Sequence, residues 1–447
     1  MDLFVIKQRG LFLFGKGENI MITDDLKSKN GHLMIGGVDS VDLAKKYGTP
    51  LYVFDVSSIR DQIKKFKSAF ENAGLHYQIS YASKAFAVKA IYQVMKQEAV
   101  HIDVVSGGEL QTALAAGFPS DKISFHGNNK TFEELVMAVQ NHVGVIMLDN
   151  FHEIDLLSRI LKTDHEKINV MLRLTPGIYA HTHKYDQTGQ TDSKFGFDVE
   201  SGQAKKAMQL VLEDENMNLL GIHAHIGSQI FGTQGFVMLA KKMIAIAKDF
   251  KQEFNYWPEV LNLGGGFGIS YTEDDDPITA QEFIQQIADE LKSDCDKVPE
   301  IWIEPGRSIV GPAGYTLYTI GSRKDITNLT PYVAVDGGMG DNIRPALYQA
   351  KYEAVVANKM DQPIVETAHI AGKYCESGDI LIDKQPLPAT KAGDILAVLD
   401  TGAYGYSMAM NYNRNPRPAV VFVENGHDKL VVKRETYSDL LSLDLDY

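Results

Sequence analysis

A chain of 447 residues with 44% hydrophobic and 23% charged residues has globular composition and room for two domains, which excludes a disordered chain. The formal net charge of −14 argues against a nucleic-acid partner, because a phosphate backbone is bound by clustered lysines and arginines. The chain has only two cysteines, Cys295 and Cys375, far apart in sequence, so we expect no disulfide framework and a cytoplasmic location. No apolar run is long enough to span a bilayer, so we expect no membrane partner.

The N-terminal stretch MDLFVIKQRGLFLFGKG, residues 1–17, alternates apolar and polar residues and lacks the sustained apolar run of a signal peptide. Residues 1–50 as a whole predict strands and turns. We expect this segment to join a β domain formed mainly by the C-terminal part of the chain.

From about residue 57 to 305, short apolar runs alternate with stretches of helical periodicity, beginning with a helix at 57–74. The apolar runs predict strands at 76–83, 101–106, 122–127, 143–149, 168–174, 219–227, 260–266 and 301–306. Eight parallel strands close a β/α barrel. We therefore predict an α/β protein with a (β/α)8 barrel over residues 51–310.

After residue 310, strand-like runs such as YVAVDGG and KLVVKRE are separated by turn residues, with few helical intervals. This pattern of strands and turns predicts a second, mainly β domain over residues 311–447. Together with residues 1–50 it would be discontinuous in sequence.

In a β/α barrel the active site lies at the C-terminal ends of the strands. The predicted strand ends carry Lys84, residues 106–109, His126, Asp149, Arg173 and residues 223–228, 264–268 and 304–307. Taken singly, each has an ordinary explanation, such as a lysine reaching solvent or a tight glycine loop. His223 and His225 could be zinc ligands, but no obvious completing set lies near them in sequence, so we expect no metal.

In combination, these residues favour a pyridoxal 5'-phosphate site. Lys84 would form a Schiff base with the cofactor. The backbone N–H groups of Gly264, Gly265 and Gly266 would bind its phosphate. Glu304 would pair with the pyridine nitrogen and keep it protonated, which makes the ring the stronger electron sink and favours decarboxylation.

Distinctive motifs run through nearly the whole chain: YASKA (81–85), DVVSGGEL (103–110), HGNNK (126–130), HTHKYDQTGQTDSKFGF (181–197), HAHIGSQ (223–229), LGGGFGI (263–269), EPGR (304–307), DNIRPALY (341–348), CESGD (375–379) and GAYGYSMAMNYN (402–413). Together they resemble the motifs of the diaminopimelate decarboxylases, pyridoxal-phosphate enzymes of the alanine-racemase-like fold. The resemblance implies conversion of meso-2,6-diaminopimelate to L-lysine and CO2, the last step of lysine biosynthesis.

The same resemblance implies roles for individual residues. His225 would lie flat on the cofactor ring, and the EPGR segment (Glu304, Pro305, Gly306 and Arg307) would contact the cofactor. Because the implied substrate has an amino acid group at each end, Arg307 and Arg344 are candidates to bind a carboxylate. Tyr348 and Tyr404 are candidates for binding the substrate, and Tyr404 also for the cofactor phosphate.

Cys375 and Glu376 lie in the predicted β domain, and the resemblance implies that they reach the partner's active site in a homodimer. Cys375 would supply the proton after CO2 leaves, and Glu376 would bind the distal ammonium of the substrate. Apart from the resemblance, the polar segment 179–195 is either a loop that closes over the site, with Gly177 and Gly189 as hinge points, or simply an insertion.

Two alternatives stay open at this point. A sister enzyme would decarboxylate ornithine, arginine or carboxynorspermidine, against which Arg344 argues. A non-catalytic regulator of the same fold would have lost Lys84, Cys375 or Glu304, and this chain has all three.

Overall fold

The computed structural model describes residues 26–178, 193–295 and 297–447. The strand-like segment predicted at residues 1–17 lies outside the described residues. So does most of the predicted closing segment 179–195, including Gly189.

The strands and helices are numbered in chain order. The strands are β1 (Lys27–Lys29), β2 (His32–Ile35), β3 (Val38–Asp39), β4 (Leu51–Asp55), β5 (Tyr77–Ala82), β6 (His101–Val104), β7 (Ile123–Phe125), β8 (Val145–Leu148), β9 (Ile168–Thr175), β10 (Phe197–Asp198), β11 (Met217–His223), β12 (Val260–Asn262), β13 (Glu300–Ile303), β14 (Gly314–Lys324), β15 (Tyr332–Val335), β16 (Ala354–Val356), β17 (Glu366–Ala371), β18 (Ile380–Leu387), β19 (Ile395–Val398), β20 (Ala419–Glu424) and β21 (His427–Val432). The helices are α1 (Ser40–Tyr47), α2 (Val56–Ala73), α3 (Lys89–Gln97), α4 (Gly107–Ala115), α5 (Phe132–Gln140), α6 (Phe151–Asp164), α7 (Gln203–Leu212), α8 (Gln234–Phe254), α9 (Ala280–Asp294), α10 (Arg307–Val310), α11 (Arg344–Tyr348) and α12 (Tyr437–Leu441).

The described chain divides into two compact units. One comprises Arg60–Ile269 and Asp276–Ile309, here called the barrel unit. The other comprises residues 26–59, Ser270–Asp275 and Val310–Tyr447, here called the β unit.

The barrel unit confirms the predicted (β/α)8 barrel. Its parallel strands follow the order β5, β6, β7, β8, β9, β11, β12, β13, and β13 returns to β5 with Ile301 opposite Tyr77. Each of the eight predicted strands is present. The observed strands β11, β12 and β13 end earlier than predicted, because the residues that follow leave the sheet to form loops.

Burial on both faces explains why apolar runs located these strands. Every residue of β8 is buried, as expected where helices cover the outside and side chains fill the inside of a parallel barrel. The outer helices are amphipathic: α8 buries Phe236, Leu239, Met243 and Phe250 at helical spacing.

The β unit contains a sheet in the order β18, β17, β15, β14, β4, β20, β21, to which β19 and β16 add. Strand β4 pairs in parallel with β20 and antiparallel with β14. This pairing of an early segment with late strands confirms that the β fold is discontinuous in sequence. The predicted domain boundaries themselves stay a prediction.

Within the described ranges, no helix combines the length and the apolar character required to cross a bilayer.

Candidate active site

The barrel brings the predicted strand-end residues to one rim. Lys84 lies in a short 3-10 turn, Ser83–Ala85, directly after β5. His126 follows β7, His223 is the last residue of β11, and Glu304 follows β13. Because all these strands run in parallel, their C-terminal ends share one side of the barrel.

Glu304 is a buried carboxylate held by three side chains. Asn262 Nδ2 donates to its Oε1 at 2.6 Å, and the Nε2 atoms of His126 and His223 lie 3.1 and 3.2 Å from its oxygens. Burial raises the pKa of Glu304, but the His126 and His223 rings that face its oxygens outweigh burial and lower it well below the ordinary value. The carboxylate is therefore ionised and oriented before anything binds to it.

The imidazole of His223 is neutral near pH 7. Its pKa is lowered to about 4 by burial, which outweighs the opposing influence of Glu304. A neutral ring whose Nε2 faces an ionised carboxylate carries its proton on Nε2, and its buried Nδ1 has no hydrogen-bond partner among the residues that the structure describes.

His126, His223 and Glu304 also form a possible metal-ligand group, since their ligand atoms all lie within 4.8 Å of one another. The zinc pair considered from the sequence was His223 with His225. Because His223 Nε2 is hydrogen-bonded to Glu304 Oε2 and His126 Nε2 lies 3.1 Å from Oε1 of the same carboxylate, we interpret the group as two imidazoles placed around one carboxylate. The expected absence of a metal stays a prediction.

The glycine loop after β12 has no room for side chains. A Cβ atom on Gly265 would lie 2.1 Å from the carbonyl oxygen of Glu304, and one on Gly266 would lie 2.2 Å from that of Gly227. Gly264 and Gly266 also have positive φ angles of 67° and 113°, which favour glycine. The backbone can therefore approach a ligand closely here, as a phosphate cradle requires.

Two N–H groups of this loop already have partners within the chain. Gly264 N–H donates to Asn262 Oδ1 at 2.9 Å, and Gly265 N–H donates to His225 Nδ1 at 3.3 Å. The sequence analysis had not foreseen either bond. Phosphate binding by all of the predicted glycines would require these bonds to be exchanged, so that assignment stays a prediction.

His225 is half-buried, and its pKa is lowered well below the ordinary value by burial and by the nearby Lys84 and Arg173 cations. The ring is therefore neutral. The bond from Gly265 N–H places the proton of the ring on Nε2 and helps to fix its orientation.

Lys84 is exposed, and its charge interacts with the carboxylates of Asp103 and Glu109. Asp103, at the end of β6, accepts a hydrogen bond from Ser83 N–H at 3.1 Å. Burial, and then Glu304, raise the pKa of Asp103 well above its usual range, whereas Lys84 lowers it. Asp103 was not predicted as a site residue, although an aspartate that interrupts an apolar run at a strand end was a usable signal.

The EPGR segment closes the barrel next to β5. Ala82 N–H donates to the carbonyl oxygen of Pro305 at 3.2 Å, and a Cβ on Gly306 would lie 2.9 Å from that of Ala82. Arg307 is buried, and its Nη2 donates to Ser228 Oγ at 2.9 Å. Ser228 is a further neighbour that the sequence analysis quoted within a motif but did not assign.

Asp149 and Arg173 contact Gly196 and Phe195. Asp149 Oδ2 accepts from Gly196 N–H at 2.9 Å, and the guanidinium carbon of Arg173 lies 4.2 Å from the centre of the Phe195 ring. Arg173 Nε is also 3.7 Å from Asp149 Oδ1. One end of the predicted closing segment is thus anchored at the rim.

The β unit carries the remaining predicted residues. Arg344 begins α11 and is only 6% exposed, which rules out a surface arginine in a turn. Its guanidinium carbon lies 4.9 Å from the centre of the Tyr271 ring, and its Nη1 donates to Tyr352 OH. Burial lowers the pKa of Arg344, but Tyr352 and Tyr271 outweigh burial and raise it, so the group is a fixed cation.

Tyr404 is half-buried and contributes to the electrostatic environment of Arg344. Its φ of 60° is uncommon for a bulky residue and marks a constrained backbone. Tyr348 lies at the end of α11 with 36% of its surface exposed. Cys375 and Glu376 are neighbours in an exposed turn between β17 and β18.

Comparison with known proteins agrees with this geometry. The family model described as pyridoxal-dependent decarboxylase, pyridoxal binding domain, matches residues 56–311. The diaminopimelate decarboxylase of Bacillus subtilis is 57% identical over 425 residues, covering 94% of this chain and 97% of that protein. That of Bacillus methanolicus is 59% identical over 412 residues, covering 91% and 95%. The crystal structure of diaminopimelate decarboxylase from M. jannaschii in complex with L-lysine has a TM-score of 0.89 at 36% identity and covers 95% of this chain and 98% of that one.

Proposed function

The chain belongs to the diaminopimelate decarboxylase family of pyridoxal-dependent decarboxylases, and we propose that it converts meso-2,6-diaminopimelate to L-lysine and CO2. This reaction completes lysine biosynthesis. The observation that carries the proposal is the ionised, buried Glu304 at the barrel rim, held by His126, His223 and Asn262.

The residues present fit pyridoxal 5'-phosphate. An ionised carboxylate in a buried setting is a suitable partner for a protonated ring nitrogen, and a glycine loop without room for Cβ atoms suits a phosphate. When bound, the cofactor supplies an electron sink for the electron pair left by departing CO2. Lys84 would hold it covalently, and the neutral ring of His225 would lie against its face.

We assign the phosphate to Gly264, Gly265 and Gly266, with Pro305, Gly306, Arg307 and Tyr404 completing the cofactor site. The backbone of the EPGR segment packs on the end of β5, which precedes Lys84, so both cofactor anchors are fixed to adjacent strands. Lys84 and the EPGR segment, on adjacent strands, would hold the cofactor and orient it relative to the substrate.

We assign the substrate to Arg307, Arg344, Tyr348, Tyr404 and Glu376. Arg344 is the strongest of these, because it is buried, permanently charged and packed against Tyr271 and Tyr352. A fixed guanidinium favours a substrate with a second carboxylate. Ornithine has an ammonium group at that end, so the same arginine would repel it.

We further propose a homodimer in which Cys375 and Glu376 act in the partner's active site. Their exposure in one turn supports this role, since both side chains are available to another subunit. Cys375 would donate the proton that replaces CO2, and Glu376 would bind the distal ammonium. A cytoplasmic location is also proposed, because two cysteines far apart in the sequence offer no disulfide framework.

The test is to incubate the protein, purified with bound pyridoxal phosphate, separately with meso-diaminopimelate, ornithine and arginine, and to identify products by mass spectrometry. We expect lysine from the first substrate alone. Putrescine or agmatine would overturn the assignment of Arg344. An absence of product from all of them, with the cofactor bound, would favour the non-catalytic alternative.

A further inference from the structure

The turn that carries Cys375 and Glu376 is exposed yet closely held. Within it, Glu376 N–H donates to the carbonyl oxygen of Tyr374 at 2.8 Å, and Asp379 N–H donates to that of Glu376 at 3.1 Å. Local bonds of this kind set the shape of a turn but do not fix its direction relative to the rest of the unit. Other contacts must therefore hold the turn in place.

Asp379 holds one side of the turn. It is only 3% exposed, and its carboxylate accepts from Tyr374 N–H at 2.9 Å and from Met339 N–H at 2.6 Å. A Cβ on Gly338 or Gly372 would come within 2.5 Å of this carboxylate, so the surrounding backbone is fitted closely around it. This anchor fixes Tyr374 but not the residues with the proposed roles.

Asn413 holds Cys375 directly. Its Oδ1 accepts from Cys375 N–H at 2.9 Å, although the two residues are 38 positions apart in the chain. Beside this bond, the rings of Tyr374 and Tyr412 are stacked, with centroids 6.0 Å apart and planes 2° from parallel. The turn is thus joined to the 411–415 segment by one hydrogen bond and one ring contact.

The backbone of Asn413 is in the left-handed region, with φ 51° and ψ 24°. Asparagine and glycine adopt this conformation more readily than other residues. The conformation places the Asn413 side chain where Cys375 N–H can donate to it. Asn411 steadies the same segment, because its Nδ2 donates to Glu435 Oε2 at 2.6 Å.

Arg414, which follows Asn413, joins the 411–415 segment to residues near the C-terminus. Its Nη2 donates to the carbonyl oxygen of Leu440 at 2.8 Å and to Asp444 Oδ2 at 2.7 Å. Residues 435–444 therefore support the 411–415 segment through these bonds and that of Asn411 to Glu435.

We propose that Asn413 is a positioning residue that directs the Cys375 thiol and the Glu376 carboxylate, with Arg414 and residues 435–444 as its support. The inference rests on the proposed roles of Cys375 and Glu376. It explains why a side chain in a distant segment bonds to the backbone of the one residue proposed to donate a proton.

The left-handed backbone of Asn413 makes a sharp test possible. Asn413→Gly keeps the left-handed conformation accessible and removes only the side-chain oxygen that accepts from Cys375 N–H. Asn413→Asp keeps the conformation and an accepting oxygen. Asn425→Gly is a matched control, since Asn425 also has a left-handed φ of 52° but lies in the hairpin between β20 and β21.

With the cofactor bound and meso-diaminopimelate as substrate, we expect Asn413→Gly to lower kcat about fivefold or more, the effect of one lost hydrogen bond. KM would rise less, and the melting temperature would stay close to that of Asn425→Gly. Asn413→Asp should restore kcat to within about twofold of the wild type. A wild-type kcat in Asn413→Gly would overturn the proposal.

A second readout does not depend on the reaction. In a Cys295→Ser background, the rate at which a small disulfide reagent modifies Cys375 should change severalfold in Asn413→Gly and not in Asn413→Asp or Asn425→Gly. An unchanged rate in Asn413→Gly would contradict the positioning role. If the wild type forms no lysine, the proposed function fails, and the thiol rates still decide whether Asn413 positions Cys375.

Discussion

Replacing Glu304 with glutamine tests whether the charge of this carboxylate makes the site a decarboxylase. The substitution keeps the shape of a side chain that is 7% exposed and surrounded by donors within 3.2 Å. It removes the negative charge that would face a protonated ring nitrogen. A hydrogen bond to a charged group contributes about 1.5–3 kcal/mol, which corresponds to a loss of about 10- to 150-fold in kcat.

The assay is CO2 release from meso-diaminopimelate at saturating cofactor, with binding of the cofactor followed by its absorbance. Glu153→Gln is the matched control, because Glu153 is another buried carboxylate of the barrel, paired with Lys130 at 3.1 Å. That change should destabilise the fold by about 3–5 kcal/mol yet leave kcat of the folded enzyme unchanged. A kcat for Glu304→Gln within threefold of the wild type, with cofactor fully bound, would refute the reasoning.

Further predictions concern the substrate, the glycine loop and pH. Arg344→Met should raise KM for meso-diaminopimelate tenfold or more in steady-state assays, because a charged partner is lost; an unchanged KM would remove Arg344 from the substrate site. Gly265→Ala should lower the melting temperature and cofactor retention, since its Cβ would lie 2.1 Å from the Glu304 carbonyl oxygen; wild-type values would contradict the close approach. The pKa of His223 is about 4 in the folded protein and 6.5 in the unfolded chain, so the unfolded chain binds the proton first as the pH falls. The free energy of unfolding should therefore fall by about 2 kcal/mol between pH 7 and 5 in urea titrations. His223→Gln should reduce that fall, and an equal fall in the variant and the wild type would contradict the prediction.

The barrel could be predicted from the sequence because its strands are buried on both faces. Such strands appear as continuous apolar runs, as in β8, where every residue is buried. Strand ends were harder to predict. The run around Gly264 and Gly266 looks like a continuing strand, but positive φ angles turn the chain out of the sheet after Asn262.

The parts of the site that follow from strand ends were predictable, and those that depend on barrel closure were not. The placement of Lys84 and Glu304 at one rim could be predicted, because the C-terminal strand ends of a barrel lie on the same side, and their proposed roles stay predictions. The contacts of Glu304 with His126, His223 and Asn262 join four different strands, so only the register of the closed barrel reveals them. A lone buried asparagine in an apolar run was the one available signal for Asn262.

The bond between Asn413 and Cys375 shows the same limit in the β unit. Both residues lie in motifs that could be recognised, yet nothing in the sequence connects them. Their contact depends on a left-handed backbone at Asn413, which the three-dimensional structure of the unit imposes.

The most direct test of the central claim is to run the reaction in D2O with the cofactor-loaded protein and meso-diaminopimelate. A decarboxylase replaces a carbon–carbon bond with a carbon–hydrogen bond. We therefore predict CO2 and L-lysine in equal amounts, with one non-exchangeable deuterium at the carbon that lost CO2. Deuterium entering unreacted diaminopimelate, without lysine or CO2, would contradict the proposed reaction.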